Sequence, residues 1–521
     1  MNLKLDDLSV EQKIGMIFCA RSFKHDGDLE FVLELVRNHA LGCASVPFTR
    51  PDVTEKILEA ADYPILMVND MEMGCPTSQL PPVPMMTLSA CDDPAYYRAF
   101  ARALVTDAKN AGYNGAWGPV IDVLACNGPC RVYRTFSDDP EKVAQAAEEI
   151  SRVFASNNFL SCGKHYPGGS HGNVDTHMTN IGSDDSLELL LNNRLLPYKR
   201  LMEKGLLPSI MSGHTTHPAV DPDYPASLSK KTIDLIRNMG YDGLCFTDSL
   251  GMMAIQQKYG ADKMMGMAMA AGNDVILPDY RRPIRETYAT LLQNYRDGMF
   301  TEDRLNEAVR RVLAAQAYVS RQPETPDLFT EQDRNTYTNI AKDCITAVTD
   351  PGLAAALDTD NQDRLFIVVE ENKDAAQELT NEVMTRNWYH PDAIIEKIHQ
   401  EFPEAEIEIL PAYPSARDND RVLTAATRHK EVVFVTFCNT RPYLGTDCMT
   451  RRVEAVINAL NYSGKVSAVV HFGNPYALQP LNHIKRKIFG YMMPQSQLYA
   501  IEVLAGKLPA RGKLPFQVDF Q

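Results

Sequence analysis

Ionisable side chains gather at four places where a short apolar run ends: Asp70-Met71-Glu72-Met73-Gly74, Lys164-His165-Tyr166-Pro167-Gly168-Gly169, His214, and Thr247-Asp248-Ser249. Any one of them could simply cap a loop. Four together point to a ligand mouth lined by carboxylates, imidazoles and a lysine. The second stretch continues to His177 as K-H-Y-P-G-G-S-H-G-N-V-D-T-H, where glycines permit close backbone approach to a ligand and polar residues supply the contacts. It is no phosphate-binding P-loop, which needs G-x-x-x-x-G-K-[ST]; here the lysine precedes the glycines. Histidines 165, 171 and 177 match no metal-binding spacing and no carboxylate triad accompanies them, so no metal is expected.

Such residues need a frame to hold them. At roughly 150 residues per domain, 521 residues make three domains, or two if one is a large barrel. An apolar fraction of 45% with 23% charged residues suits a chain that buries an ordinary core and excludes disordered or fibrous architectures. Acidic residues outnumber basic ones, 67 to 52, and the net charge of -15 repels phosphate backbones and anionic lipid. Neither nucleic acid nor a membrane is an expected partner. The sequence has no apolar run of about 18 residues, and the polar, acidic opening lacks the features of a signal peptide, so a cytoplasmic location is expected. The eleven cysteines are scattered without a C-x-x-C pair and read as reduced thiols.

From residue 14 to about 320, short apolar runs alternate with segments of helical period, the pattern of strand-helix units closing a parallel sheet. The runs are Ile14 to Cys19, Cys43 to Phe48, Pro64 to Asp70, Gly115 to Val120, Phe159 to His165, Ser209 to His214, Gly243 to Asp248, and Asp274 to Leu277. Val143, Ala147, Ile150 and Phe154 form one helical stripe, Asp93-Pro94 opens a helix, and Ser229 is an N-cap. Eight units predict an α/β fold, a TIM (β/α)8 barrel, with an open doubly wound sheet as the competing layout. In a barrel the active site lies at the carboxyl ends of the strands, where the four ionisable stretches fall. The helix Glu302 to Val319 leads into a polar linker, Arg321 to Pro326, with two prolines. The expected domains are therefore a barrel over 1–325 and a smaller α/β/α sandwich over 326–521, with strands at Leu365 to Val369, Glu431 to Phe437, Val466 to Phe472 and Lys487 to Tyr491.

Phe246-Thr247-Asp248-Ser249-Leu250-Gly251-Met252, Lys164-His165-Tyr166-Pro167-Gly168 and Asp175-Thr176-His177 together resemble glycoside hydrolase family 3, within it the bacterial β-N-acetylglucosaminidase group. Asp70-x-Glu72-x-Gly74, Pro119 to Val123, Arg134-Thr135-Phe136 and Pro225 to Ser229 extend the likeness over the barrel, and Gly506 to Pro515 is similar to the close of the family's second domain. The resemblance implies a retaining exo-glycosidase acting on a small carbohydrate, without a cofactor. It assigns Asp248 as the nucleophile that forms a covalent glycosyl-enzyme, and His177, supported by Asp175, as the acid/base. An imidazole can exchange a proton at neutral pH without an unusual environment. The same resemblance gives Asp70, Arg134, Lys164 and His165 the hydroxyls of the first-subsite sugar. Asp122 would support the mouth, and His214 would either line the site or support it.

Three departures from the family pattern stand out. Gly169-Ser170-His171 replaces the usual H-G-D, Cys75 to Leu80 lacks an arginine the family commonly places there, and Ser249 stands where a second aspartate is frequent. Alternatives left open are another family 3 β-glycosidase (a glucosidase or xylosidase), a β-N-acetylglucosaminide phosphorylase, and a catalytically silent sugar-binding protein. A homo-oligomer is also left open.

Overall fold

The computed structural model describes residues 3–125, 131–169, 179–180, 182–358, 360–371, 388–438 and 449–520. The chain separates into two compact units, one comprising 1–79, 97–126 and 139–334, the other 80–96, 127–138 and 335–521.

In the first unit the strands are β1 (Cys19–Arg21), β2 (Cys43–Ser45), β3 (Leu66–Asn69), β4 (Gly115–Ala116), β5 (Cys162–Tyr166), β6 (Ser209–Ser212) and β7 (Leu244–Thr247). They form a parallel sheet in the order β1-β2-β3-β4 and a second in the order β5-β6-β7. Single parallel bridges connect Gly115 with Leu160 and Val120 with Lys164, and others connect Phe246 with Val275 and Phe18 with Ile276. The strands are short, two to five residues, and nearly all their residues are buried, as in a parallel sheet covered on both faces.

Seven of the eight expected runs overlap a strand or bridge closely. The first, Ile14 to Cys19, does not: Ile14 lies in a helix, Val10–Met16, and the strand begins at Cys19. A capping box overrides the apolar run there, with Ser9 Oγ accepting from the Gln12 N–H (3.3 Å) and Gln12 Oε1 accepting from the Ser9 N–H (2.8 Å). The eighth run is represented by the bridges at Val275 and Ile276.

The expected helices form where their signals lie. Pro140–Ser156 starts on the Asp139 cap and buries Val143, Ala147, Ile150 and Phe154. Ser229 accepts from the Thr232 N–H and opens Lys230–Arg237. Beneath the sheets, fully buried Asp274 accepts from Arg237 (2.8 Å), Arg311 (3.1 Å), Arg304 and the Cys245 N–H (2.9 Å). This ties the helix Glu302–Val319 and the helix Lys230–Arg237 to the entry of the last strands.

The second unit carries a six-stranded sheet in the order β10-β9-β11-β12-β13-β8. Its strands are β8 (Thr346–Thr349), β9 (Arg364–Glu370), β10 (Glu406–Pro411), β11 (Glu431–Phe437), β12 (Val466–Phe472) and β13 (Arg486–Phe489). All pairings are parallel except β13 with β8. Helix Pro391–Glu401 packs with Pro494–Leu504, and Ala416–Thr427 packs with Arg451–Tyr462. The edge strands β8 and β10 are half-buried and do not read as apolar runs, so the sequence did not announce them. Among the described residues no helix is long and apolar enough to cross a membrane.

Candidate functional site

Strand β3 delivers Asp70. Asn69, the last residue of the strand, accepts the Asp70 N–H on Oδ1 (2.9 Å) and donates to the Val46 carbonyl (2.7 Å), which sets the direction of the chain as it leaves the sheet. Lys164 in β5 is almost wholly buried, and its Nζ lies 2.6 Å from Asp70 Oδ1 and 2.6 Å from Glu72 Oε1. A buried ammonium needs such partners to remain charged. Of the three side chains Asp70 is the accessible one, 44% exposed against 8% for Glu72 and 2% for Lys164, so it presents the pair to a ligand.

His165, next in β5, is oriented by Asp122, which accepts the His165 backbone N–H (2.9 Å) on one oxygen and faces ring Nδ1 (2.9 Å) with the other. A carboxylate accepts, so Nδ1 carries a hydrogen and the Nε2 edge is turned to the opposite side. Asp122 thus positions His165 and is partly exposed rather than buried. Gly168 and Gly169 follow with φ of 81° and 67°, a left-handed conformation that favours glycine. They pass against a buried ion pair in which Arg194 Nε and Nη2 donate to the two oxygens of Asp185 (2.9 and 3.1 Å). A Cβ on Gly169 would come within 2.4 Å of Asp185 Oδ2.

Asp248 follows β7 directly. Its N–H donates to the Ser212 carbonyl (2.9 Å), and its Oδ1 accepts from the Ser249 N–H (2.6 Å). Among the described residues Oδ2 has no hydrogen-bond partner. Desolvation pushes this carboxyl toward its protonated form, but His214, His165, the Ser249 N–H and Lys164 outweigh it and hold Asp248 well below the usual carboxylate range. His214 is buried, with Nδ1 2.8 Å from Ser227 Oγ and Nε2 3.0 Å from the Ser249 carbonyl. Both ring nitrogens therefore hold backbone and loop next to Asp248. Ser249 contributes its backbone, while its own hydroxyl is buried without a partner among the described residues.

The structure thus brings Asp70, Lys164, His165 and Asp248 to the carboxyl ends of β3, β5 and β7 in one unit. Arg134 ends a short helical turn, Val132–Arg134, that groups with the second unit. Asp175 and His177 lie outside the described residues. Past them the chain is pinned to the segment after β6, where Gly182 bridges Thr216 and the Ser183 N–H donates to the Thr216 carbonyl (2.8 Å). Sequence reasoning noted Glu72 but gave it no role; the Asp70-x-Glu72 spacing was the available signal. The Arg194–Asp185 pair carried no signal, since a loop aspartate and an arginine at the end of the helical segment Leu190–Arg194 share no motif. Chemically, an ionised carboxylate with one unpartnered oxygen, beside a Lys-Asp pair and an oriented imidazole, can attack an electrophilic carbon whose substituents those polar groups grip.

Comparison with known proteins agrees in family and fold. A β-N-acetylglucosaminidase/β-glucosidase of Cellulomonas fimi is 26% identical over 333 residues, 60% of this chain and 58% of that protein's length. A solved family 3 β-N-acetylglucosaminidase from Paenibacillus sp. str. FPU-7 superposes with a TM-score of 0.78 at 21% identity, covering 99% of this chain and 100% of the other. The β-glucoside phosphorylase BglX, bound to 2FGlc, superposes with a TM-score of 0.81 at 20% identity over 99% and 95% of the two chains. The model of the glycosyl hydrolase family 3 N terminal domain matches residues 49–315, slightly more than half of the sequence, and the chain belongs to glycosyl hydrolase family 3.

Proposed function

We propose that this protein is a retaining, exo-acting β-N-acetylhexosaminidase that removes a terminal β-linked N-acetylglucosamine. The observation that carries the reading is Asp248: a carboxylate at the end of β7, held ionised by two histidines, a lysine and a backbone N–H, with one oxygen unpartnered among the described residues. In the proposed reaction Asp248 Oδ2 attacks the anomeric carbon while a proton passes to the leaving oxygen, giving a glycosyl-enzyme; water then attacks that carbon and Asp248 leaves. His177, backed by Asp175, gives the proton in the first step and takes one from water in the second. Asp70, Lys164, His165 and Arg134 bind the sugar hydroxyls. The name of the Cellulomonas fimi relative supports the N-acetylglucosamine assignment. No cofactor enters this scheme.

The same reading takes the first unit as an eight-stranded barrel. The bridges from Gly115 to Leu160, Phe246 to Val275 and Phe18 to Ile276 support closure through a minimal eighth strand. We divide the chain's domains at 325/326, between the helix Glu302–Val319 and the helix Glu331–Asp343, where no regular element forms. The eight described cysteines are all free, which supports a reducing, cytoplasmic location.

A panel of nitrophenyl glycosides, with and without phosphate, tests the reaction. The expected result is turnover of the β-N-acetylglucosaminide to free sugar, labelling of Asp248 by an activated fluoro-sugar, and a loss on the order of 10⁴-fold or more in Asp248→Ala. Near-wild-type activity in that variant refutes the nucleophile. Sugar-1-phosphate appearing in phosphate buffer replaces hydrolysis by phosphorolysis.

A further inference from the structure

Arg21 ends β1 at the same side of the sheets as Asp70 and Asp248, and no sequence motif marks it. Its guanidinium lies between two rings, 5.9 Å from the centre of Trp117 and 5.4 Å from that of Tyr280. Among the described residues Nε and Nη1 are buried without a hydrogen-bond partner, as is the indole Nε1 of Trp117. Among the described residues Arg21 has no ion-pair partner either, and Nη2, the nitrogen not buried, leaves the Nη1–Nη2 end open to approach. Aromatic faces attract a cation but offer no lone pairs in line with its N–H groups. Such unmet donors are rare in folded proteins, and a ligand is one way to satisfy them. Directly afterwards Ser22 and Phe23 take φ of 77° and 50°, a left-handed conformation costly for bulky residues and one that gathers at functional sites.

Both rings of the clamp belong to the surroundings of Asp248. Trp117 makes an edge contact with Phe246 of β7 at 6.2 Å, and Phe246 precedes Asp248 by two residues. Tyr280 lies against Gly251, where a Cβ would sit 3.3 Å from its Cδ1. Lys164 is paired with Asp70 and Glu72, whereas Arg21 has no such partner among the described residues and its donors stay unmet.

We propose that Arg21 is a specificity-determining residue of the sugar site, donating from its Nη1–Nη2 end to a neutral oxygen acceptor on the sugar held above Asp248. This rests on the reading of Asp248 given above. The acceptor is an acetamido carbonyl or a ring hydroxyl, two sources of the same hydrogen-bond chemistry.

Arg21→Met keeps an unbranched stem between the rings and removes the donors. On nitrophenyl β-N-acetylglucosaminide its kcat/KM should fall about 10- to 100-fold, chiefly through KM, with Tm unchanged or raised because an unpaired buried cation is gone. A much smaller loss on the β-glucoside identifies the acetamido group as the acceptor; equal losses identify a hydroxyl. Unchanged kinetics in the folded variant overturn the proposal, and so does a loss that merely follows a lower folded fraction. Should the methionine variant not fold, Arg21→Lys, which keeps the charge but not the fork, is judged by the same criteria. Calorimetry with N-acetylglucosamine and glucose separates the two readings: sugar binding weakened in the variant, without turnover in the wild type, upholds Arg21 and rejects the hydrolase. A wild-type protein that binds neither sugar rejects both.

Discussion

Asp248 is kept as an anion by its neighbours, and this fixes what its titration can do. A carboxyl whose folded pKa is depressed adds stability above its unfolded value, near 4, and that stability is lost as pH falls through the folded value. Asp248 therefore stays charged across the working range, and any acid-side or base-side limb above pH about 4 belongs to another group. Under the proposed mechanism that group is His177. His177→Ala should slow substrates with poor leaving groups by about 100-fold or more while sparing activated aryl glycosides, and should flatten the pH profile of kcat/KM. Equal losses on both substrate types would remove His177 from the mechanism. At this scale the sequence was informative wherever a motif held the residue: Asp70, Lys164, His165 and Asp248 all lie at the ends of β3, β5 and β7, and Asp122 faces the His165 ring. Glu72 was marked by its spacing from Asp70 but not as the partner of Lys164, and Arg21 was not legible at all, because the lack of a partner leaves no trace in linear spacing.

Among the elements, the turn after β5 is the most constrained. Gly169 combines a φ of 67° with a Cβ direction that points at Asp185 Oδ2, 2.4 Å away. Gly169→Ala should strain the backbone and separate a buried ion pair, lowering stability by about 3 kcal/mol or more, measured by denaturant unfolding; a change under about 1 kcal/mol would mean that the turn relaxes freely. Gly205, with φ 66° and open space around it, is the comparison: Gly205→Ala tests the backbone term alone. Strands buried on both faces, such as β9 and β11, were plain in the sequence as apolar runs. The first strand was misplaced because a three-residue element follows a helix that shares its apolar residues, and the Ser9–Gln12 capping box decides which residues go where.

On the scale of the whole molecule, the two units carry different acid sensitivities. His471, fully buried in the second unit, faces Thr436 Oγ1 through Nδ1 (2.9 Å) and the Asn474 carbonyl through Nε2 (3.0 Å). Burial pushes its pKa down to about 4, and the Asn474 carbonyl offsets this only in part. The native imidazole stays neutral while the unfolded one protonates below about 6.5. Stability from this residue is thus complete above that pH and declines down to about pH 4, by roughly 3 kcal/mol in total. Unfolding of the wild type should weaken over this window, and His471→Asn should weaken less steeply; parallel slopes would clear His471 of the effect. The grouping of 80–96 and 127–138 with the C-terminal residues was not legible in the sequence, because no compositional break marks those segments.

The three arginines gathered on Asp274 bear on how far the gene can be trimmed. A fragment ending ahead of Arg304 would strand a carboxylate in a dry layer with one guanidinium left, that of Arg237. A fragment of the first unit accordingly has to run beyond Arg311 to keep Asp274 paired.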